Sequence, residues 1–189
     1  MSQIAVYTLD QFVADLRATF ANGELLPAKA TSVAAALQRL LSVGGWVQQR
    51  LDAGGYDALG GSVYTDPDYG YPGPGFHITC GADTLNQYRP PHDHGAGWVC
   101  YGVYKGAIEQ TRYGWDYSAG NLAPVFGPRT SFVQKAGEVA FFLPGEAHTT
   151  RNVADERSVV VRVESQNLAR VVRHGYDLPT NAAALMKAN

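Results

Sequence analysis

The sequence predicts a mainly β domain: a small barrel of two facing antiparallel sheets, with a helical segment packed on its outside. Three observations carry that expectation. Twenty-one Gly and 10 Pro in 189 residues imply many turns. From Gly54 onward, short runs rich in aromatic and β-branched residues alternate with clusters of Gly, Pro, Asn and Asp, the texture of a sandwich or barrel. The residues before Gly54 instead place apolar side chains at helical spacing.

The helical segment opens with a capping-box pattern, Thr8 with Gln11, followed by Leu9, Phe12, Val13, Leu16 and Phe20 on one face. Asn22-Gly23 ends it. A second stripe, Val33, Leu37, Leu40 and Leu41, follows Pro27 and stops at Gly44-Gly45, and a third short helix is expected over Trp46–Ala53. These stripes read as packing surfaces. Residues 1–53 are thus expected to form a helical extension, and 54–189 a β domain within the same structural unit. Strands are expected at Gly75–Cys80, Trp98–Tyr104, Glu138–Leu143 and Ser158–Glu164, with long loops at Asp66–Gly75 and Asp116–Thr130 and a short helix at Asn181–Met186.

Composition closes off several functions. Fifteen Lys+Arg against 17 Asp+Glu give a net charge of −2, so no overall field favours nucleic acid or an anionic membrane. Two cysteines, Cys80 and Cys100, are too few for a disulfide framework. No apolar run is long enough to cross a bilayer, and the first residues lack a basic segment followed by an apolar core, so a cytoplasmic location is expected. Neither a Gly-rich phosphate loop nor a Gly-x-Ser-x-Gly elbow occurs, which leaves nucleotide cofactors and serine-hydrolase chemistry unsupported.

The chemistry concentrates in the five histidines. His92 and His94 stand at i and i+2 in Pro-Pro-His-Asp-His-Gly, a spacing that on a strand turns both imidazoles to one face, able to meet one ion at about 2.0–2.1 Å. Taken alone, the pair also fits two hydrogen-bonded loop histidines. A third ligand would have to come from elsewhere, and His148, at the end of an apolar strand after Leu143-Pro144-Gly145-Glu146-Ala147, is the candidate.

These pieces resemble the two motifs of the cupin superfamily, whose fold is a double-stranded β-helix, or jelly-roll, barrel. His92, His94 and Gly106 match the first motif, and Gly137, Pro144, Gly145, His148 and Asn152 match the second. The first motif's Glu ligand falls on Trp98 or Val99 and is absent. Three His without Glu is most similar to the thiol dioxygenases, the cysteine and mercaptopropionate enzymes, over Tyr64–Asp177. The resemblance implies one divalent metal held by His92, His94 and His148. Fe(II) is the expected ion; Ni, Zn, Mn and Cu are the others that nitrogen donors accept. It implies a small-molecule substrate, dioxygen as co-substrate, and a homodimer as the assembly such folds favour.

The departures from that subfamily fall on its catalytic positions. Asp66 stands where the cysteine enzymes carry a carboxylate-binding Arg, and would repel a carboxylate by roughly 1–4 kcal/mol near 4 Å. Val99 stands where some members carry a crosslinking Cys. Their Ser-His-Tyr relay aligns with Val160, Arg162 and Glu164; alternation would aim all three at the pocket, where the charges pair or bind a polar substrate, unless the strand is an edge with both in solvent. Cysteine is therefore not the expected substrate. Tyr101 shares Val99's parity and is a candidate pocket donor. Trp98 and its aromatic neighbours form a pocket wall or ordinary core, and Arg112 meets a substrate carboxylate or solvent.

The expected function is a non-haem iron dioxygenase-like oxidoreductase acting on a small organic molecule, aromatic or thiol. The alternatives are a non-redox lyase, isomerase or hydrolase in which Glu164 or Tyr101 moves protons, and a metal- or ligand-binding protein without turnover.

Overall fold

The structure is a computed structural model of the chain and describes residues 6–43, 45–68, 75–116, 125–165, 168 and 171–186. Three helices come first: α1 (Leu9–Ala21), α2 (Leu26–Val43) and α3 (Trp46–Gly54), then a 3-10 turn at Gly55–Leu59. The capping box forms as the sequence predicts, with Gln11 N–H donating to Thr8 Oγ1 at 3.2 Å and Thr8 N–H to Gln11 Oε1 at 2.9 Å. Phe12 and Leu16 of α1 and Val33, Leu37, Leu40 and Leu41 of α2 are the buried faces of the two amphipathic patterns.

Eleven strands follow in the described residues: β1 (Ser62–Thr65), β2 (His77–Asp83), β3 (Tyr88–His92), β4 (Val99–Lys105), β5 (Ala107–Asp116), β6 (Val125–Lys135), β7 (Val139–Phe142), β8 (Ala147–Asn152), β9 (Ser158–Glu164), β10 (His174–Asp177) and β11 (Ala182–Leu185). They form two antiparallel sheets, ordered β1-β2-β9-β4-β7 and β11-β10-β3-β8-β5-β6. The mainly β, two-sheet barrel with helices outside is thus the observed architecture. Among the described residues no helix is long and apolar enough to cross a membrane.

Two local expectations change, and a third lies mostly outside the described residues. The short helix at Asn181–Met186 is instead strand β11, paired with β10 in the register His174↔Leu185 to Asp177↔Ala182. Asp116 and Val125–Thr130, expected in a loop, are strand: β5 and β6 pair from Asp116↔Val125 back to Ala107↔Lys135, and 117–124 lie outside the described residues. The loop expected at Asp66–Gly75 falls largely on 69–74, also outside them.

The first sheet is covered on both faces, and this positions the site. Its outward residues, Ile78, Cys80, Cys100, Val159, Val161 and Val163, join Phe12, Leu16, Val33, Leu37 and Leu40 in one apolar core between sheet and helices. Each such side chain contributes on the order of 1.5–3 kcal/mol when fully buried. Gly102 makes the close approach possible: a Cβ there would stand 2.6 Å from Leu41 Cδ1 and 3.0 Å from Leu37 Cγ. The inward residues line up across the strands as Thr79↔Arg162↔Tyr101↔Ala140 and His77↔Glu164↔Val99↔Phe142. β9 is therefore a central strand, so the edge-strand reading of its Arg and Glu is ruled out.

Candidate metal centre

Between the sheets lies a cavity of about 520 Å³. His92 ends β3, His148 sits near the start of β8, and the two face each other in register. His94 lies just past the end of β3 rather than on it, yet its ring turns back to the same point. The three are the only group of His, Cys, Asp or Glu among the described residues placed to hold a metal ion, with ligand atoms all within 4.8 Å of one another. They are 7%, 0% and 0% exposed respectively. Phe142 backs His148 with ring centroids 4.1 Å apart.

The donor set fits a cation. Pro90's carbonyl lies 2.8 Å from His92 Nδ1 and can only accept, so that nitrogen carries the proton and Nε2 keeps its lone pair. His94 Nε2 and His148 Nε2 are 3.3 Å apart. Two nitrogens at that separation, each about 2.0–2.1 Å from one ion, subtend an angle near ~105–110°, close to tetrahedral. Burial pushes all three imidazoles down: His92, His148 well below the usual value, and His94 to about 3, with positive neighbours adding to the effect. All three are neutral at pH 7, the form that coordinates.

Tyr101, on β4, brings its hydroxyl 3.1 Å from His94 Nε2 and 3.5 Å from His148 Nε2. Burial raises its pKa, so the phenol stays protonated at neutral pH. Arg162 and Val160 line the cavity. Arg162's guanidinium donates from Nε to Thr79 Oγ1 at 3.2 Å and forms an ion pair with Glu164 Oε1 at 2.9 Å. Its side chain is 35% exposed, and because β9 is central that exposure opens onto the cavity. Glu164 is buried behind Arg162 and does not line the cavity wall.

Four positions expected to touch substrate do not line the cavity. Asp66 is buried on the helix side, accepting from Arg17 Nε at 2.8 Å, Tyr64 Oη at 3.2 Å and the Asp68 amide at 3.0 Å, so it ties α1 to the start of the barrel. Trp98 belongs to the outer core, stacked between Phe20 and Phe141 at 5.3 and 5.1 Å. Val99 is inward but packed into a cluster with Tyr101, Phe142 and Leu168. Arg112 lies over the Phe142 ring, donates to Glu146 at 2.9 Å and to the Phe141 carbonyl at 2.8 Å, and is fully engaged there.

His174, at the start of β10, is half-buried. Asp93 holds it, accepting from its backbone N–H at 2.9 Å, from its Nδ1 at 3.0 Å and from Tyr176 Oη at 2.7 Å. Asp93 thus points away from the imidazoles it separates in sequence, and pins β10 beside them. Burial alone would raise Asp93, but those hydrogen bonds and one from the Gly95 amide outweigh it and leave its pKa lowered.

Arg89, Arg173, Gln110 and Gln134 also line the cavity and were not singled out in the sequence. Arg89 makes a two-pronged pair with Asp83 at 2.7 and 2.9 Å. Tyr88–Arg89 and Gln110–Arg112 are polar on both strand parities, so alternation gave no inward signal.

No family model matches the chain, and no curated protein does. Among solved structures it is similar to the cupin domain of Schizosaccharomyces pombe Cnp3, at 13% identity and TM-score 0.43 over 57% of this chain and 63% of that one. It is also similar to oxalate oxidase in complex with the substrate analogue glycolate, at 22% identity and TM-score 0.40 over 51% and 46%. A third is KdgF from Halomonas sp., at 14% identity and TM-score 0.41 over 57% and 77%. The chain thus spans under two thirds of the first of these and under half of the second.

Proposed function

We propose that this chain is a metal-dependent, cupin-type enzyme, a dioxygenase-like oxidoreductase that takes a small anionic organic substrate other than cysteine. The observation that carries the reading is the convergence of three neutral imidazoles, with no carboxylate among them, on one point of a cavity rich in guanidinium groups. A divalent ion bound there, Fe(II) foremost, supplies Lewis acidity and, as iron, electrons for dioxygen.

The chain's own residues orient and select. Arg89, Arg162 and Arg173 line the cavity; Asp83 pairs with Arg89 and Glu164 with Arg162, and Arg173 adds a guanidinium in no ion pair among the described residues. A chain of net charge −2 has therefore gathered positive charge in its interior, where low dielectric strengthens attraction for an anion. Ile108, Val103 and Leu168 supply apolar wall for the substrate's carbon skeleton. Thiols, diketones and phenols that ionise or carry a carboxylate fit this description.

Elemental analysis and an oxygen electrode test the reading. The iron-loaded protein should consume oxygen with a member of that panel, and Arg162→Ala should raise KM more than it lowers metal content. Turnover that persists without oxygen, or with zinc in place of iron, overturns the oxygenase reading. It would favour the non-redox alternative, which the protonated Tyr101 hydroxyl beside two ligand nitrogens supports as a proton carrier.

A further inference from the structure

The three imidazoles are not held alike. His94 Nδ1 is buried with no hydrogen-bond partner, and His92 leans on a backbone carbonyl. His148 alone rests on a chain of side chains. Its Nδ1 is 2.8 Å from Gln110 Oε1, Gln110 Nε2 is 2.6 Å from Gln134 Oε1, and Gln134 Nε2 is 2.8 Å from the carbonyl oxygens of both Tyr101 and Glu138.

The direction of every proton in this chain follows from its far end. Backbone carbonyls only accept, so both protons of the Gln134 amide are committed to Tyr101 and Glu138. Gln134 Oε1 is then the acceptor facing Gln110. Gln110 donates to it through Nε2, which turns its own oxygen to His148. That oxygen can only accept, so His148 is protonated on Nδ1 and bare on Nε2. Turning both amides round to feed an Nε2–H tautomer would place the Gln134 oxygen against two carbonyls, and leaving them as they are would set a bare Nδ1 against the Gln110 oxygen. Gln110, Gln134 and His148 are 1%, 2% and 0% exposed, so either mismatch would be buried.

We infer that Gln110 and Gln134 are positioning residues that lock His148 as its Nδ1–H tautomer, keeping the Nε2 lone pair aimed at the shared point. The lock's purpose rests on the proposed metal centre, but its existence does not. It spans the barrel: His148, Gln110 and Gln134 stand on β8, β5 and β6 of one sheet, and the chain ends on the β4 carbonyl of the other. Tyr101, whose carbonyl terminates the chain, also brings its hydroxyl to His148 Nε2 at 3.5 Å. The supporting acceptor is a neutral amide, which leaves the ring a weaker donor than a carboxylate would and preserves the ion's charge for an anionic substrate.

Two measurements test the inference. Long-range 1H–15N correlation of histidine-labelled protein, with the His148 resonances assigned by their loss in His148→Gln, should show Nδ1–H in both metal-free and zinc-loaded states. An Nε2–H signal in the metal-free protein overturns the lock. In the second, zinc is competed against a colorimetric chelator. Gln110→Leu should weaken zinc binding about 10–100-fold, and Gln134→Leu should weaken it in the same direction. Equal affinity in Gln110→Leu and the original chain overturns the inference. If Gln110→Leu does not fold, the tautomer spectrum of the original chain and the zinc affinity of Gln134→Leu decide. An original chain that takes no zinc while showing the Nδ1–H tautomer removes the metal centre and supports the lock.

Discussion

Acid should destabilise the metal-free protein through its histidines, and the size of the effect can be worked from His94. Burial holds this imidazole at about 3, against about 6.5 in an unfolded chain. Between those values the unfolded state binds a proton that the folded state does not, so stability is fully present above about pH 6.5 and declines as pH falls through that value. At pH 5 the loss from His94 alone is about 2 kcal/mol, or a melting temperature lower by roughly 4–8 °C for a chain of this length. His92 and His148 are shifted in the same direction and add to it. Asp93, lowered from the ordinary carboxyl value, loses its contribution only at more acid pH and does not confuse the window. Scanning calorimetry of chelator-treated protein at pH 7 and pH 5, with His94→Phe as the control, checks this. A melting temperature that is flat or rising toward pH 5, or a His94→Phe variant with the same slope as the original chain, would refute the reasoning.

His148→Ala should lose about 10²–10³-fold in metal affinity, taking the ~10–16 kcal/mol of a four-ligand zinc site as shared among its ligands, while circular dichroism still reports a folded β domain. Full metal content in that variant would remove His148 from the ligand set. Asp66→Ala leaves Arg17, Tyr64 and the Asp68 amide without their acceptor and should cost about 1–3 kcal/mol in denaturant unfolding, with metal content and substrate KM unchanged. An altered KM would return Asp66 to the pocket. Gly102→Ala drives a methyl against Leu37 and Leu41 and should cost about 1–3 kcal/mol, again without metal loss, as elemental analysis would show.

The helices were legible because periodicity and the Thr8–Gln11 cap act within a few residues of chain. The candidate ligands were legible for a similar reason: His-x-His and a histidine after Pro-Gly are local patterns, whatever closes around them. The pocket lining was legible only in part: Tyr101, Val160 and Arg162, expected to face the pocket, line the cavity, whereas Arg89, Gln110, Gln134 and Arg173 carried no signal. Alternation along β2, β4 and β9 divides each strand into two faces, but it cannot say which face looks inward, and here both are covered. The apolar set, Ile78, Cys80, Cys100, Val161 and Val163, lies under the helices, whereas Thr79, Arg162 and Tyr101 look into the barrel.

Asp66, considered for the pocket because it aligns with a family Arg, falls on the helix side, and Trp98, read as pocket wall or ordinary core, is core; neither lies on a strand whose alternation could place it. The amide chain behind His148 had no sequence signal at all. Gln110 and Gln134 are 24 residues apart and meet only because β5 and β6 pair in register. Local patterns thus determined which residues were able to coordinate a cation. Strand pairing and helix docking, which act between residues distant along the chain, decided which tautomer one of them holds, which charges face the cavity, and which candidates are kept out of it.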